Sequence, residues 1–155
     1  MVPWGLSGCE KDPCLQGGTG AIGGGHVHPS MPNTSALLTA ILDRTGDALA
    51  DHVMVARGAT ATRGLLGRDG MEPGEGLYFP EALFGALHSF GMRFAFDAVY
   101  LDRRGRVRRV LHAVRPYRLC PWDLRTVATL ELPAGTLMAA GVVVGDTVRL
   151  VQTPD

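Results

Sequence analysis

The sequence predicts a mostly β fold with minor α content: a small, single-domain, barrel-like antiparallel structure with one or two short helices. Glycine and proline together make up 31 of the 155 residues, which favours turns and short elements over long helices. Beyond residue 35 the apolar residues fall into short runs separated by Gly, Pro and Asp, a pattern typical of strands joined by turns. With 46% apolar and 19% charged residues, the chain can bury one modest core.

The first elements are predicted to be a hairpin and a short helix. Residues 36–42 and 48–56 are apolar runs on either side of a turn-rich segment, and the second run alternates apolar with polar or small residues. Residues 60–66 are predicted to form a short helix, with Thr60 as its N-cap and Gly67 at its end.

Five further runs predict the remaining strands. Residues 76–80 form a short strand that a proline ends, and residues 94–101 form a longer strand, rich in aromatic and branched side chains, that should lie in the core. An Arg-Arg-Gly turn joins this strand to residues 107–114 and predicts a second hairpin. Residues 126–132 and 146–151 supply the last two strands. Short strands of this number predict a closed or partly closed barrel.

Residues 1–35 are predicted to be a flexible Gly/Pro-rich tail, and residues 36–155 a single β-rich domain. The tail holds eight glycines and four prolines and has almost no hydrophobic periodicity. No run approaches the roughly 18 consecutive apolar residues of a membrane-spanning helix, so no transmembrane segment is expected. The sequence as written predicts a cytoplasmic protein. Residues 6–9, Leu-Ser-Gly-Cys, resemble a lipoprotein cleavage box and would place it in the cell envelope if translation starts upstream.

Charge and cysteine content restrict the possible partners and cofactors. The 15 basic and 15 acidic residues cancel, so the strong positive field of dedicated nucleic-acid-binding proteins is absent. Three cysteines, an odd number, do not suggest a disulfide framework and favour a reducing compartment. Cys9, Cys14, His26 and His28 are all zinc-ligand types, but their spacing matches no standard zinc finger. We therefore expect neither a metal nor another cofactor.

Asp97 is the most informative polar residue, because it interrupts an apolar strand. At a period of two it shares a face with Val99 and Leu101, whereas Phe96 and Tyr100 lie on the opposite face. An unpaired carboxylate between two apolar faces is costly, so Asp97 should have a cationic or N–H partner. Both a buried structural pair and a ligand-binding role fit this position. Three side chains are candidate partners: Arg63, His88 and Arg93.

Five sequence blocks follow one another in an informative order. They are residues 63–68, 76–79, 88–102, 130–135 and 145–146. In this order they resemble the blocks of the domain of unknown function 192 family, over roughly residues 50–151. The resemblance implies a small, mostly β, barrel-like domain found in bacteria and archaea, with no established catalytic activity. Many members have a Trp before the Met of the third block and Lys-Asn-Thr after it. This chain has Gly91 and Arg93-Phe94 instead, and so resembles a variant branch.

The first functional hypothesis is a binding or accessory protein, whose small ligand or protein partner contacts a polar site around Asp97 at the barrel rim. Barrel mouths with a few convergent polar groups are common ligand sites. The candidate ligand-binding residues are Arg63, His88, Met92, Arg93, Asp97 and Glu131.

The second hypothesis is a hydrolase-like enzyme. It would use Asp97 and Glu131 as a carboxylate pair, or His88 as the base for a Ser89 or Cys120 nucleophile. The sequence has neither a Gly-x-Ser-x-Gly elbow nor a His-Glu-x-x-His motif. Because adjacent residues of an extended segment point to opposite faces, His88 and Ser89 make a poor dyad. Binding is therefore favoured over catalysis.

The third hypothesis is nucleic-acid binding through the basic hairpin of residues 103–118. Arginine outnumbers lysine 14 to 1 across the whole chain, and no row of aromatic residues interleaves for base stacking. A solvated arginine-rich hairpin that protects a sheet edge is therefore favoured, and nucleic acid is not the expected partner. The hairpin contains seven arginines: Arg103, Arg104, Arg106, Arg108, Arg109, Arg115 and Arg118.

Overall fold

The structure, a computed structural model, describes residues 37–153, so the predicted tail lies outside the described residues. Two short helices, α1 (Ala59–Arg63) and α2 (Thr136–Ala139), and a 3₁₀ turn at Leu83–Gly85 accompany one curled sheet. Within this range no helix is long and apolar enough to cross a membrane. The predicted mostly β, barrel-like fold is confirmed. The sheet has seven strands: β1 (Leu38–Leu42), β2 (Ala48–Val55), β3 (Glu75–Phe79), β4 (Phe96–Leu101), β5 (Val107–Val114), β6 (Ala128–Pro133) and β7 (Val148–Gln152).

The sheet is a partly closed barrel. Its strand order is β5-β4-β6-β3-β2-β1-β7, so β5 and β7 are the two edges. The edges meet at one end, where Arg106 and Thr147 form an isolated bridge. The Val107 N–H donates to the Asp146 carbonyl at 2.8 Å beside this bridge. Closure at one end removes part of the exposed strand edge that an open sheet would present.

All but one of the neighbouring strand pairs are antiparallel. Both predicted hairpins, β1–β2 and β4–β5, are present. In contrast, β2 and β3 are parallel, which differs from the antiparallel fold that the sequence predicts. The chain leaves β2 at Val55, passes through α1 and returns to start β3 at Glu75. Such a crossover brings two neighbouring strands into the same direction.

Helix α1 begins and ends earlier than the sequence predicts. It starts after Gly58, so Thr60 lies inside the helix and is not its N-cap. It ends at Gly64, before the predicted Gly67. Gly64 has φ of 49°, and its N–H donates to the Thr60 carbonyl at 2.8 Å. Glycine adopts positive φ at low cost, so the first glycine after the helix ends it.

Each face of the sheet carries its own apolar core. The core inside the curl contains the fully buried Leu42, Val53, Leu130, Leu132 and Leu137. A second cluster covers the outer face, and connecting segments contribute Leu65, Leu87 and Met92 to it. Because alternate strand residues point to opposite faces, β4 serves both cores and all six of its residues are buried. The predicted place of this strand in the core is confirmed.

Gly85 lies against the ring of Tyr100, where no side chain fits. Its φ is 59°, and a Cβ added there would overlap the ring carbons of Tyr100. We expect Gly85→Ala to lower the free energy of unfolding by about 1–3 kcal/mol, because overpacking and positive φ both disfavour alanine. Urea denaturation measures the change. Gly70 has open space around it, so Gly70→Ala is the matched control. Equal stability of the two variants would contradict the close contact.

Candidate functional site

One pocket of about 300 Å³ collects most of the candidate ligand-binding residues. It lies on the outer face of the sheet, between α1 and the segment that follows β3. Asp97 and Arg93 are not among its lining residues. The other four candidates line it: Arg63, His88, Met92 and Glu131.

The pocket has apolar walls and polar groups at its two ends. Apolar side chains of Leu65, Leu87, Met92 and Phe96 form much of the lining, and all four are buried. Exposed polar side chains surround the opening, whereas Glu131 and Thr129 lie at the buried end. An apolar cavity with a few placed polar groups is the usual form of a small-molecule site.

Glu131 is the buried carboxyl group of this pocket. It is 4% exposed, and no hydrogen bond or cation from residues 37–153 offsets its burial. On β6 it lies opposite Leu77 of β3 and Ala98 of β4, which are both apolar. Burial raises the pKa of Glu131 to about 8, so the group is largely protonated at neutral pH. In that form it donates one hydrogen bond and accepts others.

Further protonated polar groups lie near Glu131. Thr129 precedes it by two residues on the same face of β6, lines the pocket, and has a buried hydroxyl without a partner among the described residues. Tyr100 lies opposite Thr129 on β4, and its buried hydroxyl also lacks a partner in residues 37–153. Burial raises the pKa of the Tyr100 hydroxyl, and burial together with the charge of Glu131 raises the pKa of the free Cys120 thiol. Both groups therefore stay protonated at neutral pH.

The opening of the pocket carries more positive than negative charge. Arg57 follows β2, and Arg63 is the last residue of α1. Both arginines are exposed and line the pocket. Glu81 is the one exposed acidic residue among the lining residues. His88 also lines the opening. Guanidinium groups pair well with carboxylates and phosphates, so this end of the pocket favours an anionic group.

Asp97 lies on the inner face of the sheet, and its partners are backbone N–H groups. Its Oδ1 accepts a hydrogen bond from the Ala113 N–H at 2.8 Å. Its Oδ2 accepts from Gly135 at 3.0 Å and from Leu137 at 2.9 Å. The predicted need for a partner is thus met by N–H groups. The three side chains that the sequence offered as partners, Arg63, His88 and Arg93, form no hydrogen bond with Asp97.

These contacts explain why a carboxylate lies at position 97. The β4–β5 register shifts beside Asp97, and Ala113 has φ of 46°, so its N–H turns away from the strand ladder. The N–H groups of Gly135 and Leu137 lie at the start of α2, where backbone donors have no partner within the helix. Asp97 therefore joins β4 to the irregular end of β5 and to the first turn of α2.

Two of the catalytic arrangements in the hydrolase hypothesis are not formed: the Asp97–Glu131 pair and the His88–Ser89 dyad. Glu131 lies opposite Ala98, whereas Asp97 lies opposite Leu132, so the two carboxyl groups point to opposite faces of the sheet. The Ser89 hydroxyl is fully buried, donates to the Arg115 carbonyl at 2.6 Å and accepts from the Arg118 N–H at 2.8 Å. His88 is exposed on the other side of the chain. The carboxylate pair is therefore wrong, and Ser89 is a structural hydroxyl.

Arg93 and the basic hairpin lie outside the pocket. Arg93 forms an exposed ion pair with Asp69, at 2.7 Å between Nη1 and Oδ1. In the hairpin, Arg108 approaches Asp123 at 3.5 Å between Nε and Oδ2. In the described part of the chain no three His, Cys, Asp or Glu side chains are grouped as metal ligands. The four zinc-ligand types of the tail lie outside that part.

Four polar residues of the pocket are absent from the sequence-based candidates: Arg57, Thr62, Glu81 and Thr129. Thr129 could have been found, because a residue two positions before Glu131 on a strand shares its face. Arg57 follows the end of a strand, where functional residues are common, but so do many residues without a function. Nothing in the sequence distinguishes Glu81.

The comparisons with known proteins identify a family and a shared fold. Residues 40–150 match the sequence model of DUF192, described as uncharacterized ACR, COG1430. A structure of a protein of unknown function from Novosphingobium aromaticivorans is 21% identical, with a TM-score of 0.60, and the match covers 73% of this chain and 83% of that one. A "putative transcription regulator" from Sinorhizobium meliloti is 24% identical, with a TM-score of 0.58 over 73% and 91% of the two chains. Curated proteins offer no match.

Proposed function

The chain belongs to the DUF192 family, which is described only as uncharacterized, so its function has to be inferred from the pocket. We propose that the protein binds a small organic molecule that carries both a basic and an acidic group. One observation carries this proposal. The protein keeps Glu131 buried without a partner among the described residues, at the closed end of an open pocket. A stability cost retained in a cavity is typical of a working site.

The two ends of the pocket select the two groups of the ligand. An amine that reaches Glu131 favours the ionised carboxylate, since an opposite charge lowers the pKa of the acid. Binding of the amine therefore releases a proton from Glu131 at neutral pH. At the other end, Arg57 and Arg63 favour a carboxylate or phosphate. A zwitterion fits both ends of the pocket, with its amine at Glu131 and its acidic group at Arg57 and Arg63.

The size and walls of the pocket restrict the body of the ligand. A volume of about 300 Å³ is at the lower end of the range for ligand sites. Leu65, Leu87, Met92 and Phe96 offer an apolar lining. An α-amino acid with an apolar side chain, or a molecule of similar size and charge, fits these conditions.

The protein is expected to bind this molecule without converting it. Ser89 uses its hydroxyl in two backbone hydrogen bonds, and Cys120 is a buried thiol with a raised pKa that does not line the pocket. Neither provides an activated nucleophile next to a base, which covalent hydrolysis requires.

We expect apolar amino acids to raise the melting temperature, whereas alkylamines and carboxylic acids of the same length should have little effect. Calorimetric titration at pH 7 in buffers of different ionisation enthalpy should show release of close to one proton on binding. Glu131→Gln and Arg63→Ala should each weaken binding about tenfold or more, and Glu131→Gln should abolish the proton release.

Arg93→Ala is the matched control for Arg63→Ala, because Arg93 is an exposed arginine outside the pocket. It should leave binding unchanged. The proposal fails if no compound in the panel raises the melting temperature, or if Glu131→Gln binds as tightly as the wild type.

A further inference from the structure

Two connecting segments of the chain present a set of large exposed apolar side chains, which we call the aromatic loop face. They belong to residues 83–90 and 117–124, and they are 48% to 77% exposed. Isolated exposed apolar residues are common on proteins, whereas a contiguous set marks an interaction surface. The face consists of Leu83, Phe84, Phe90, Tyr117, Leu119, Trp122 and Leu124.

Backbone hydrogen bonds hold the two segments side by side. The Tyr117 N–H donates to the Ser89 carbonyl at 2.9 Å, and the Asp123 N–H donates to the Phe84 carbonyl at 3.0 Å. Between these contacts Ser89 and Cys120 point inward and are buried. The inward side chains anchor the segments, so the apolar side chains of the face are held in an outward position.

Backbone strain is also concentrated on this face. Phe84 has φ of 63° and Tyr117 has φ of 60°. Positive φ is uncommon for residues other than glycine, and such strain often accompanies function. Within residues 37–153 there are three such non-glycine positions, and two of them carry aromatic side chains of the face. The fold thus accepts a cost to hold Phe84 and Tyr117 in place.

Arginines lie within the second segment and on both sides of it. Arg115, Arg118 and Arg125 are all exposed. The only acidic residue between positions 115 and 125 is Asp123, whose side chain is 16% exposed and lies 3.5 Å from Arg108. The chain as a whole has zero net charge, so this positive character is local.

We infer that the aromatic loop face docks the protein on the surface of an anionic lipid bilayer. Trp and Tyr prefer the boundary between water and hydrocarbon, and Leu and Phe insert into it from protruding loops. Arginines beside these side chains pair with lipid phosphates, and each adds about a fivefold gain in attraction to an anionic surface. The exposed apolar residues lie on loops beside exposed arginines, and this combination of apolar and positive side chains favours an anionic lipid surface over a protein partner. This inference is independent of the proposed ligand.

Vesicle binding tests the inference with the full chain. We expect sedimentation with vesicles in which phosphatidylglycerol makes up about a third of the lipid, and at least tenfold weaker binding to vesicles of phosphatidylcholine alone. Added salt should weaken the binding, because it screens the arginines from the lipid phosphates. With Trp4 replaced by phenylalanine, Trp122 is the only tryptophan, and its emission should shift to shorter wavelength on the anionic vesicles.

Two double variants locate the contact. Trp122→Ser with Leu124→Ser should weaken vesicle binding at least tenfold, and both changes lie on exposed residues, so the fold should be kept. Val143→Ser with Val144→Ser removes two apolar side chains of similar exposure elsewhere, and should leave binding unchanged. Circular dichroism checks that both variants fold.

Three outcomes would overturn the inference. The first is the absence of binding to anionic vesicles at low salt. The second is vesicle binding that the Trp122 and Leu124 substitutions leave unchanged. The third is self-association, or binding of a protein, that these substitutions abolish while vesicles bind nothing; a second copy or a protein would then be the partner of the face.

Discussion

Replacing Asp97 by asparagine is expected to lower the free energy of unfolding by about 3–5 kcal/mol. The Asp97 carboxylate accepts three backbone hydrogen bonds, from Ala113, Gly135 and Leu137. Asparagine keeps one acceptor oxygen and replaces the other with an amide group that only donates. At least one buried N–H then loses its partner and faces another donor, and the remaining bonds lose the charge that strengthens them.

Urea denaturation at pH 7 measures this loss, and two variants serve as controls. Asp102 accepts hydrogen bonds from the Arg104 and Arg106 N–H groups in a surface turn, so Asp102→Asn should change stability much less. Arg93→Ala should leave the melting temperature unchanged, because the exposed pair with Asp69 contributes little. If Asp97→Asn is as stable as the wild type, the three hydrogen bonds do not hold the fold.

The other buried carboxyl group should behave in the opposite way: Glu131→Gln should raise the free energy of unfolding by about 3 kcal/mol at pH 7. The carboxyl has a pKa of about 8 in the folded protein and an ordinary value of 4.5. At pH 7 the unfolded chain therefore ionises this group, whereas the folded protein keeps it largely protonated. Glutamine has almost the same shape and carries no such penalty.

The pH dependence of the difference follows from the direction of the pKa shift. Because the pKa of Glu131 is raised on folding, its contribution to stability is fully present below pH 4.5 and is lost as the pH rises to about 8. The wild type and Glu131→Gln should therefore be equally stable near pH 4. The difference in their free energies of unfolding should grow as the pH rises from 4.5 to about 8, and it should stay constant at higher pH.

Denaturation curves between pH 4 and pH 9 test this expectation. Glu75→Gln is the matched control on the neighbouring strand β3. Burial alone would raise the pKa of Glu75, but the Glu72 N–H and the Arg68 guanidinium outweigh it and hold the pKa below its usual value. Glu75→Gln should therefore cost stability at neutral pH. A Glu131→Gln variant less stable than the wild type at pH 7 would show that the carboxylate has a stabilising partner in the folded protein.

Most of the strands could be predicted from the sequence, because strand signals are local. A period of two, branched and aromatic side chains, and turn residues place β2, β4 and β5 within one or two residues of their observed bounds. The parallel pairing of β2 with β3 could not be predicted in the same way. It depends on the path of the chain through α1 and the loop after it, which no local pattern specifies.

The candidate site was only partly predictable. The ordered blocks brought Arg63, His88, Met92 and Glu131 into consideration, and the structure places all four on one pocket. Asp97, the expected centre of the site, instead holds backbone groups on the inner face of the sheet. Its partners lie 16 to 40 residues further along the chain, and two of them belong to the start of helix α2, which the sequence did not place.

The sequence by itself determined the fold class, the positions of the strands along the chain and the need of a buried Asp97 for a partner, because alternation and turn chemistry act between near neighbours. Only the tertiary structure decided which buried carboxyl group is satisfied. Asp97 and Glu131 lie on adjacent strands and point to opposite faces, one toward free backbone N–H groups and the other toward a pocket. The cost of burying a charge depends on what packs against it, and that is set by segments distant in the chain.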